Sequence, residues 1–283
     1  MKVWQDILKD VLENGEKRND RTGCGTLALF NKTLEFDNEF SFPAVTTKKL
    51  AFKSMASELA CFIHGKSKLS DFHKFNCKIW DANGNADYWL KNPNNIDPGN
   101  YLGRIYGVNW RGWKSVNTTK ETLEIKETDQ LHDLIQAIKK EPHSRRHIVL
   151  AFNPGELDQT VLPACHLGFQ VFIRGTTHID IAVQMRSVDL FLGLPFDVAS
   201  YALLQRLIAK EVGLTSGKLY FNLGDTHIYL NHIEQVKTIL TRTPHMPPQI
   251  KVPAFVSLFD FHPSQVELVG YESYGILAAP MSV

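Results

Sequence analysis

The sequence predicts an α+β fold, a mixed β-sheet with flanking helices. Three observations carry that expectation. Strand-like runs are interleaved with helical ones but lack the regular βαβ alternation of a doubly wound sheet. Two of the strand-like runs, His166 to Arg174 and His178 to Met185, are joined by Gly175-Thr176, which predicts a hairpin. The length of 283 residues, with 43% hydrophobic and 22% charged residues, suits a soluble globular chain, and residues 1–283 read as a single domain.

Each element has its own signal. Val3, Ile7, Leu8, Val11 and Leu12 recur at helical spacing and Gly15 stops them, so the chain opens with an amphipathic helix. Thr26 to Phe36 is β-rich and reads as a strand. Met55, Leu59, Phe62 and Ile63 mark a second helix that ends at Gly65. Glu58 lies three residues from Met55 and four from Phe62, which puts its carboxylate on the apolar stripe. A buried carboxylate is costly unless it is paired or functional, so Glu58 is a candidate. Residues 83–103, punctuated by Gly84, Pro93 and Pro98, read as an excursion from the fold. Gln130 to Lys140 is helical, and His147 to Asn153 reads as a strand. Phe196 to Val212 and His227 to Thr241 read as helices on either side of a strand at Lys218 to Leu223.

Composition excludes several classes. A net charge of +1 gives no reason to expect nucleic acid or a membrane as a general partner. The basic pairs Lys48-Lys49 and Arg145-Arg146 suit a small anionic ligand at most. Cys24, Cys61, Cys77 and Cys165 show no Cys-x-x-Cys spacing, so neither a zinc site nor a disulfide framework is expected. His143 and His147 have metal-ligand spacing, but Pro142 precedes them and no third ligand is evident, so no metal is expected. No apolar run approaches the ~18 residues that span a bilayer, and no secretory signal precedes the first helix. A cytoplasmic protein with reduced thiols is the expectation.

The densest chemistry lies in Val161-Leu-Pro-Ala-Cys-His-Leu-Gly-Phe-Gln170 and Met185-Arg-Ser-Val-Asp-Leu-Phe-Leu-Gly-Leu-Pro-Phe-Asp-Val-Ala-Ser200. A thiolate is the nucleophilic form of Cys, and positive charge nearby lowers a thiol pKa, so Arg186 is a candidate activator of Cys165. Adjacent side chains on a strand face opposite ways, which makes His166 a poor base for Cys165.

These segments, with Asn19-Asp-Arg-Thr-Gly23, Thr46-Thr-Lys48, Ile79-Trp-Asp81, Tyr106-Gly107, Trp110-Arg111, Ser144-Arg-Arg146, Asp225-Thr-His-Ile-Tyr229 and the tail Ala279-Pro-Met-Ser-Val283, resemble the thymidylate synthase family in order and over nearly the whole chain. The resemblance implies one catalytic domain whose sheet packs against its twin in a homodimer. It implies that Cys165 adds to C6 of a pyrimidine nucleotide, which makes C5 enamine-like, and that 5,10-methylenetetrahydrofolate supplies the carbon. It assigns Glu58 to the water and protons around the base, with Tyr106 and His166 in support. Arg21, Arg186 and Ser187 would bind the phosphate, with Arg145 and Arg146 reaching it from the other subunit, since guanidinium groups suit phosphate. His227 and Tyr229 would hold the sugar hydroxyl. Trp80, Asp189, Gly193 and Val283 would contact the folate and close over it.

Four departures stand out. Asp197 occupies the family's Asn position, and Met185 its usual Gln. Ala164 replaces Pro before the nucleophile, and Cys61 replaces a Trp in the Glu58 helix. Met-Arg-Ser with a nearby Asp resembles deoxycytidylate hydroxymethylase. An Asn amide matches the O4 and N3–H edge of uracil, whereas a carboxylate matches the N4–H and protonated N3 edge of cytosine. The expected reaction is therefore dCMP 5-hydroxymethylation, with dCMP 5-methylation or thymidylate synthesis from dUMP as alternatives.

Overall fold

The computed structural model describes every residue except 22, 120, 253–256, 282 and 283. Its elements are α1 (Lys2–Asn14), β1 (Glu16–Arg18), β2 (Thr26–Asp37), α2 (Phe52–Ile63), α3 (Leu69–Lys74), α4 (Asp81–Gly84), α5 (Asp87–Leu90), α6 (Tyr106–Arg111), β3 (Trp113–Thr118), β4 (Leu123–Thr128), α7 (Gln130–Lys140), β5 (Ile148–Leu150), β6 (His166–Arg174), β7 (His178–Asp189), α8 (Gly193–Glu211), β8 (Thr215–Tyr229), α9 (Ile233–Thr241), β9 (Gln249–Lys251) and β10 (Glu267–Val269). Six strands form the main sheet in the order β1-β2-β8-β7-β6-β5. It is a mixed sheet: β7 and β8 run parallel, joined through α8, and the other neighbours are antiparallel. The α+β architecture with flanking helices is thus as the sequence predicts.

The core lies between one face of this sheet and the helices α1, α2 and α8. Helix α2 is buried continuously from Met55 to Ile63, as expected of a helix that is apolar nearly all round. Full burial of side chains such as Leu59 and Phe62 contributes about 1.5–3 kcal/mol each. At Gly107 a Cβ would run into the Phe62 backbone, so glycine lets α6 start in contact with α2 and carries Tyr106 to the same place. Helix α8 is registered on the sheet by a buried polar residue. Gln205 Nε2 donates to Ile179 O at 2.7 Å and to Lys218 O at 2.8 Å, and its Oε1 accepts from Asn38. Such a network, once satisfied, fixes the helix position more sharply than apolar packing alone.

Among the described residues the opposite face of the sheet carries no helix. Phe172, Ile148 and Leu150 are 65%, 45% and 43% exposed there, beside half-buried Ala182 and Tyr220.

Three predicted elements differ in extent. The strand expected at Lys218 to Leu223 runs from Thr215 to Tyr229, because β2 pairs with it from Asp37 to Thr26. His227 and Tyr229 therefore sit on a strand, and the expected helix begins only at Ile233. The strand expected over His147 to Asn153 is limited to Ile148–Leu150, the stretch paired with β6. The excursion 83–103 takes in the end of α4 and all of α5, and it fully buries Trp89. The hairpin of β3 and β4 had no signal, since almost all of its residues are exposed.

Candidate active site

Cys165 sits at the entrance to β6, half-buried and held from three directions. Its N–H donates to Tyr106 Oη at 2.8 Å, and its carbonyl accepts from Arg186 N at 2.9 Å. The Arg186 guanidinium wraps the same loop, donating to Ala164 O at 2.9 Å and Pro163 O at 2.7 Å, and it approaches the Cys165 Sγ at 3.8 Å. Burial pushes the thiol above its usual pKa, and Arg186 offsets only part of this. The expectation that Arg186 favours the thiolate holds in direction, but desolvation outweighs it.

Glu58 is buried mid-way along α2 and accepts from Trp80 Nε1 at 2.8 Å. Desolvation raises its pKa to about 7; the Trp80 bond and His166 pull it down, and Asp197 pushes it further up. Asp197 lies at the start of the second turn of α8, with its Oδ1 3.1 Å from His166 Nε2. His166 lies between two aromatic rings, Tyr106 at 5.0 Å and Tyr201 at 5.3 Å between centroids. Its nitrogen turns to Asp197, in keeping with the strand argument that separates it from Cys165. The Tyr201 hydroxyl is buried without a hydrogen-bond partner among the described residues. A buried orphan hydroxyl beside a carboxylate is an unmet polar demand at this end of the cleft.

Next to these groups opens a cavity of about 290 Å³, lined by Arg18, Asn19, Asp20, Arg21, Thr26, Arg186, Ser187, Asp225, His227 and Tyr229. Arg18 Nη1 donates to Asp225 Oδ2, and Asp225 Oδ1 contacts His227 Nδ1, each at 2.9 Å. That chain orients the His227 ring so that Nε2 faces away from the carboxylate. Arg145 and Arg146 do not line this cavity; they are exposed on the turn before β5.

On the far side, Asp189 ends β7, and its Oδ1 accepts from Phe191 N at 2.9 Å and Leu192 N at 3.2 Å, which shapes the turn into Gly193 and α8. Lys48 is buried against that turn: Nζ donates to Phe191 O at 2.5 Å and lies 4.1 Å from the Phe191 ring centroid. Burial lowers its pKa to about 8. Val283 lies outside the described residues. Cys61, which stands where the family has a Trp, is fully buried, and burial pushes its thiol up.

The structure thus gathers Cys165, Glu58, Tyr106, His166, Asp197 and Trp80 at one end, and Arg21, Arg186, Ser187, His227 and Tyr229 at the other. Sequence reasoning gave no role to Arg18, Asp225 and Tyr201, although Asp225 opens the segment Asp225-Thr-His-Ile-Tyr229. Two of these were signalled: Asp225 is two residues from His227 on one strand, and Tyr201 is four from Asp197 on one helix. Among the described residues no group of three or more His, Cys, Asp or Glu is placed to hold a metal ion, and no helix is long and apolar enough to cross a membrane.

The family model described as thymidylate synthase matches residues 2–283. A protein of Escherichia phage T5 named probable thymidylate synthase is 41% identical over a 293-residue alignment spanning all of both chains. A thymidylate synthase of Listeria innocua serovar 6a is 38% identical over a 324-residue alignment, again spanning both chains in full.

Proposed function

The chain belongs to the thymidylate synthase family, and from that premise we propose that it transfers one carbon from 5,10-methylenetetrahydrofolate to C5 of dCMP, where tetrahydrofolate leaves and water adds to the methylene, giving the 5-hydroxymethyl nucleotide. The observation that carries the choice of base is Asp197, held at 3.1 Å by His166 in a half-buried pocket beside Glu58 and Tyr201. With His166 on Oδ1, Oδ2 can accept from the cytosine N4–H, and the carboxylate favours a proton on N3 as the base is activated. Against uracil O4 the same carboxylate would meet like-signed density away from water, a mismatch that discriminates by roughly 10⁴-fold.

The remaining residues have roles that follow from their positions. Cys165 attacks C6, and the Arg186 guanidinium stabilises its thiolate. Glu58, with a pKa near neutrality, holds or releases a proton through ordered water at the base. Arg21, Arg186 and Ser187 take the phosphate, and His227 and Tyr229 the sugar hydroxyl. The folate supplies the one-carbon unit. Its place fits Asp189 and Gly193: Asp189 Oδ2 can accept from an N–H edge while Oδ1 holds the turn, and Trp80 lines the approach to Glu58.

A homodimer completes the site. The helix-free sheet face with Phe172, Ile148 and Leu150 is the surface for a second copy. Arg145 and Arg146, exposed beside β5, would then reach the partner's phosphate. Each chain acts as one catalytic domain over residues 1–283.

The test is turnover of dCMP and dUMP by the native protein and by Asp197→Asn, with product mass and dihydrofolate absorbance recorded together. The native protein should prefer dCMP, and D197N should move the preference toward dUMP by about 10²-fold or more. Equal or better native activity on dUMP would overturn the choice of base. The second reading, methylation with dihydrofolate formed, is favoured by the names of both relatives; stoichiometric dihydrofolate would decide for it.

A further inference from the structure

His232 has no part in the chemistry described above, yet it is fully buried between three segments of the proposed folate side. It ends the single 3-10 turn Leu230–His232 that links β8 to α9. Its Nε2 is 2.7 Å from the carbonyl oxygen of Pro280 in the C-terminal tail. A carbonyl only accepts, so Nε2 carries the proton and donates to the tail. Nδ1 has no hydrogen-bond partner among the described residues and lies 3.9 Å from Asp189 Oδ1. The ring also packs on Phe191 at 5.4 Å and on Tyr229 at 5.5 Å between centroids. One side chain therefore touches the tail, the Asp189 turn and the end of the strand that carries His227 and Tyr229.

The tail has a second tether. Gln235, three residues further on, donates from Nε2 to Ala278 O at 3.3 Å. Residues 278 and 280 thus both present carbonyl acceptors to the 232–235 turn. This is a docked strap, held by side chains from the 232–235 turn.

We propose that His232 is a positioning residue that clamps the C-terminal tail against the Asp189 turn, and thereby sets affinity for the folate co-substrate without touching the nucleotide. The proposal rests on the reading of Asp189 and the tail as the folate side of the site. It deepens that reading by naming the residue that holds the two parts together.

The experiment measures steady-state KM for methylenetetrahydrofolate and for the nucleotide in three variants, with thermal unfolding recorded for each. His232→Phe keeps the ring packing on Phe191 and Tyr229 but removes the N–H. It should raise the folate KM by about tenfold, the scale of one buried hydrogen bond, and leave the nucleotide KM within about twofold. His232→Gln, whose amide can still donate, should recover much of the loss; a merely structural role predicts no such rescue. Gln235→Leu, which removes the other tether from a half-buried position, should raise the folate KM in the same direction and by less. An unchanged folate KM in H232F, or equal increases for both substrates, overturns the proposal. If H232F does not fold, an unchanged folate KM in Q235L overturns it instead. A native protein that does not bind the folate at all refutes the functional reading, whereas a folate-dependent enzyme indifferent to these substitutions refutes the clamp alone.

Discussion

The two ends of the candidate cleft treat charge in opposite ways. At the base end Glu58, Tyr106 and Tyr201 are buried and Cys165 is half-buried, and desolvation is the largest influence on the pKa of each. At the phosphate end Arg18 and Asp225 meet at 2.9 Å with side chains 54% and 38% exposed. The Trp80–Glu58 contact is about as short, at 2.8 Å, but it is buried. Electrostatic interactions are several-fold stronger in a low-dielectric interior than in water. Similar geometry therefore acts on reactivity at the dry end and on recognition at the wet end. Substitutions at the two ends should separate kcat from KM.

The largest effect is expected at Cys165. Cys165→Ser should lower turnover by roughly 10³-fold or more, while calorimetric nucleotide affinity stays near native, because the phosphate contacts lie elsewhere. Near-normal turnover would falsify the covalent mechanism.

Next comes Glu58→Gln, with a fall in kcat of about 10²- to 10⁴-fold and loss of the pH dependence centred near 7 in the native enzyme. Stability gives a second readout with a definite sign. The folded pKa of Glu58 is raised, so its favourable contribution is complete below the unfolded value near 4.5 and is lost as pH rises through about 7. E58Q should accordingly gain on the native protein between those values, by up to roughly 3 kcal/mol. A denaturation series from pH 4 to pH 8 in which the two proteins run parallel removes this account.

Tyr106→Phe is expected to be intermediate. It leaves the part-buried Cys165 N–H without its acceptor, which should cost about 1–3 kcal/mol in urea unfolding and reduce kcat more than nucleotide KM. A change confined to KM would assign Tyr106 to the wrong end of the cleft. The smallest effect belongs to Arg18→Ala. An exposed pair contributes about 0–1 kcal/mol, so nucleotide KM should rise by less than about fivefold, fade with added salt and leave kcat unchanged. If R18A lowered kcat as E58Q does, the division between dry and wet ends would fail.

The same contrast explains what was legible beforehand. Helices α1 and α2 and the β6–β7 hairpin are marked by periodicity and turn residues, which are local properties of the chain. The placement of Glu58 on an apolar stripe was legible for the same reason, and the structure buries it. The segment from His227 onward was misread because Ile228, Tyr229 and Leu230 are a short apolar run that fits either period. Pairing of Tyr229 with Thr26, some 200 residues earlier, decides for the strand. The β3–β4 hairpin left no trace because neither of its faces is buried, so nothing imposes alternation on its side chains.

What the sequence determined by itself is the inventory and its order: a thiol before a strand, a carboxylate on a helix's apolar stripe, arginines in two clusters and an Asp where the family has Asn. These need only the identity of neighbours a few residues apart. Only the tertiary structure decided which of them share an environment. Trp80 caps Glu58 across 22 residues, Arg186 wraps the Cys165 loop across 21, and Pro280 meets His232 across 48. The shifted pKa of Glu58 likewise exists only after α2 is enclosed by α6 and α8. Desolvation and long-range contact arise when distant segments pack together, and no local pattern records how completely they will exclude water.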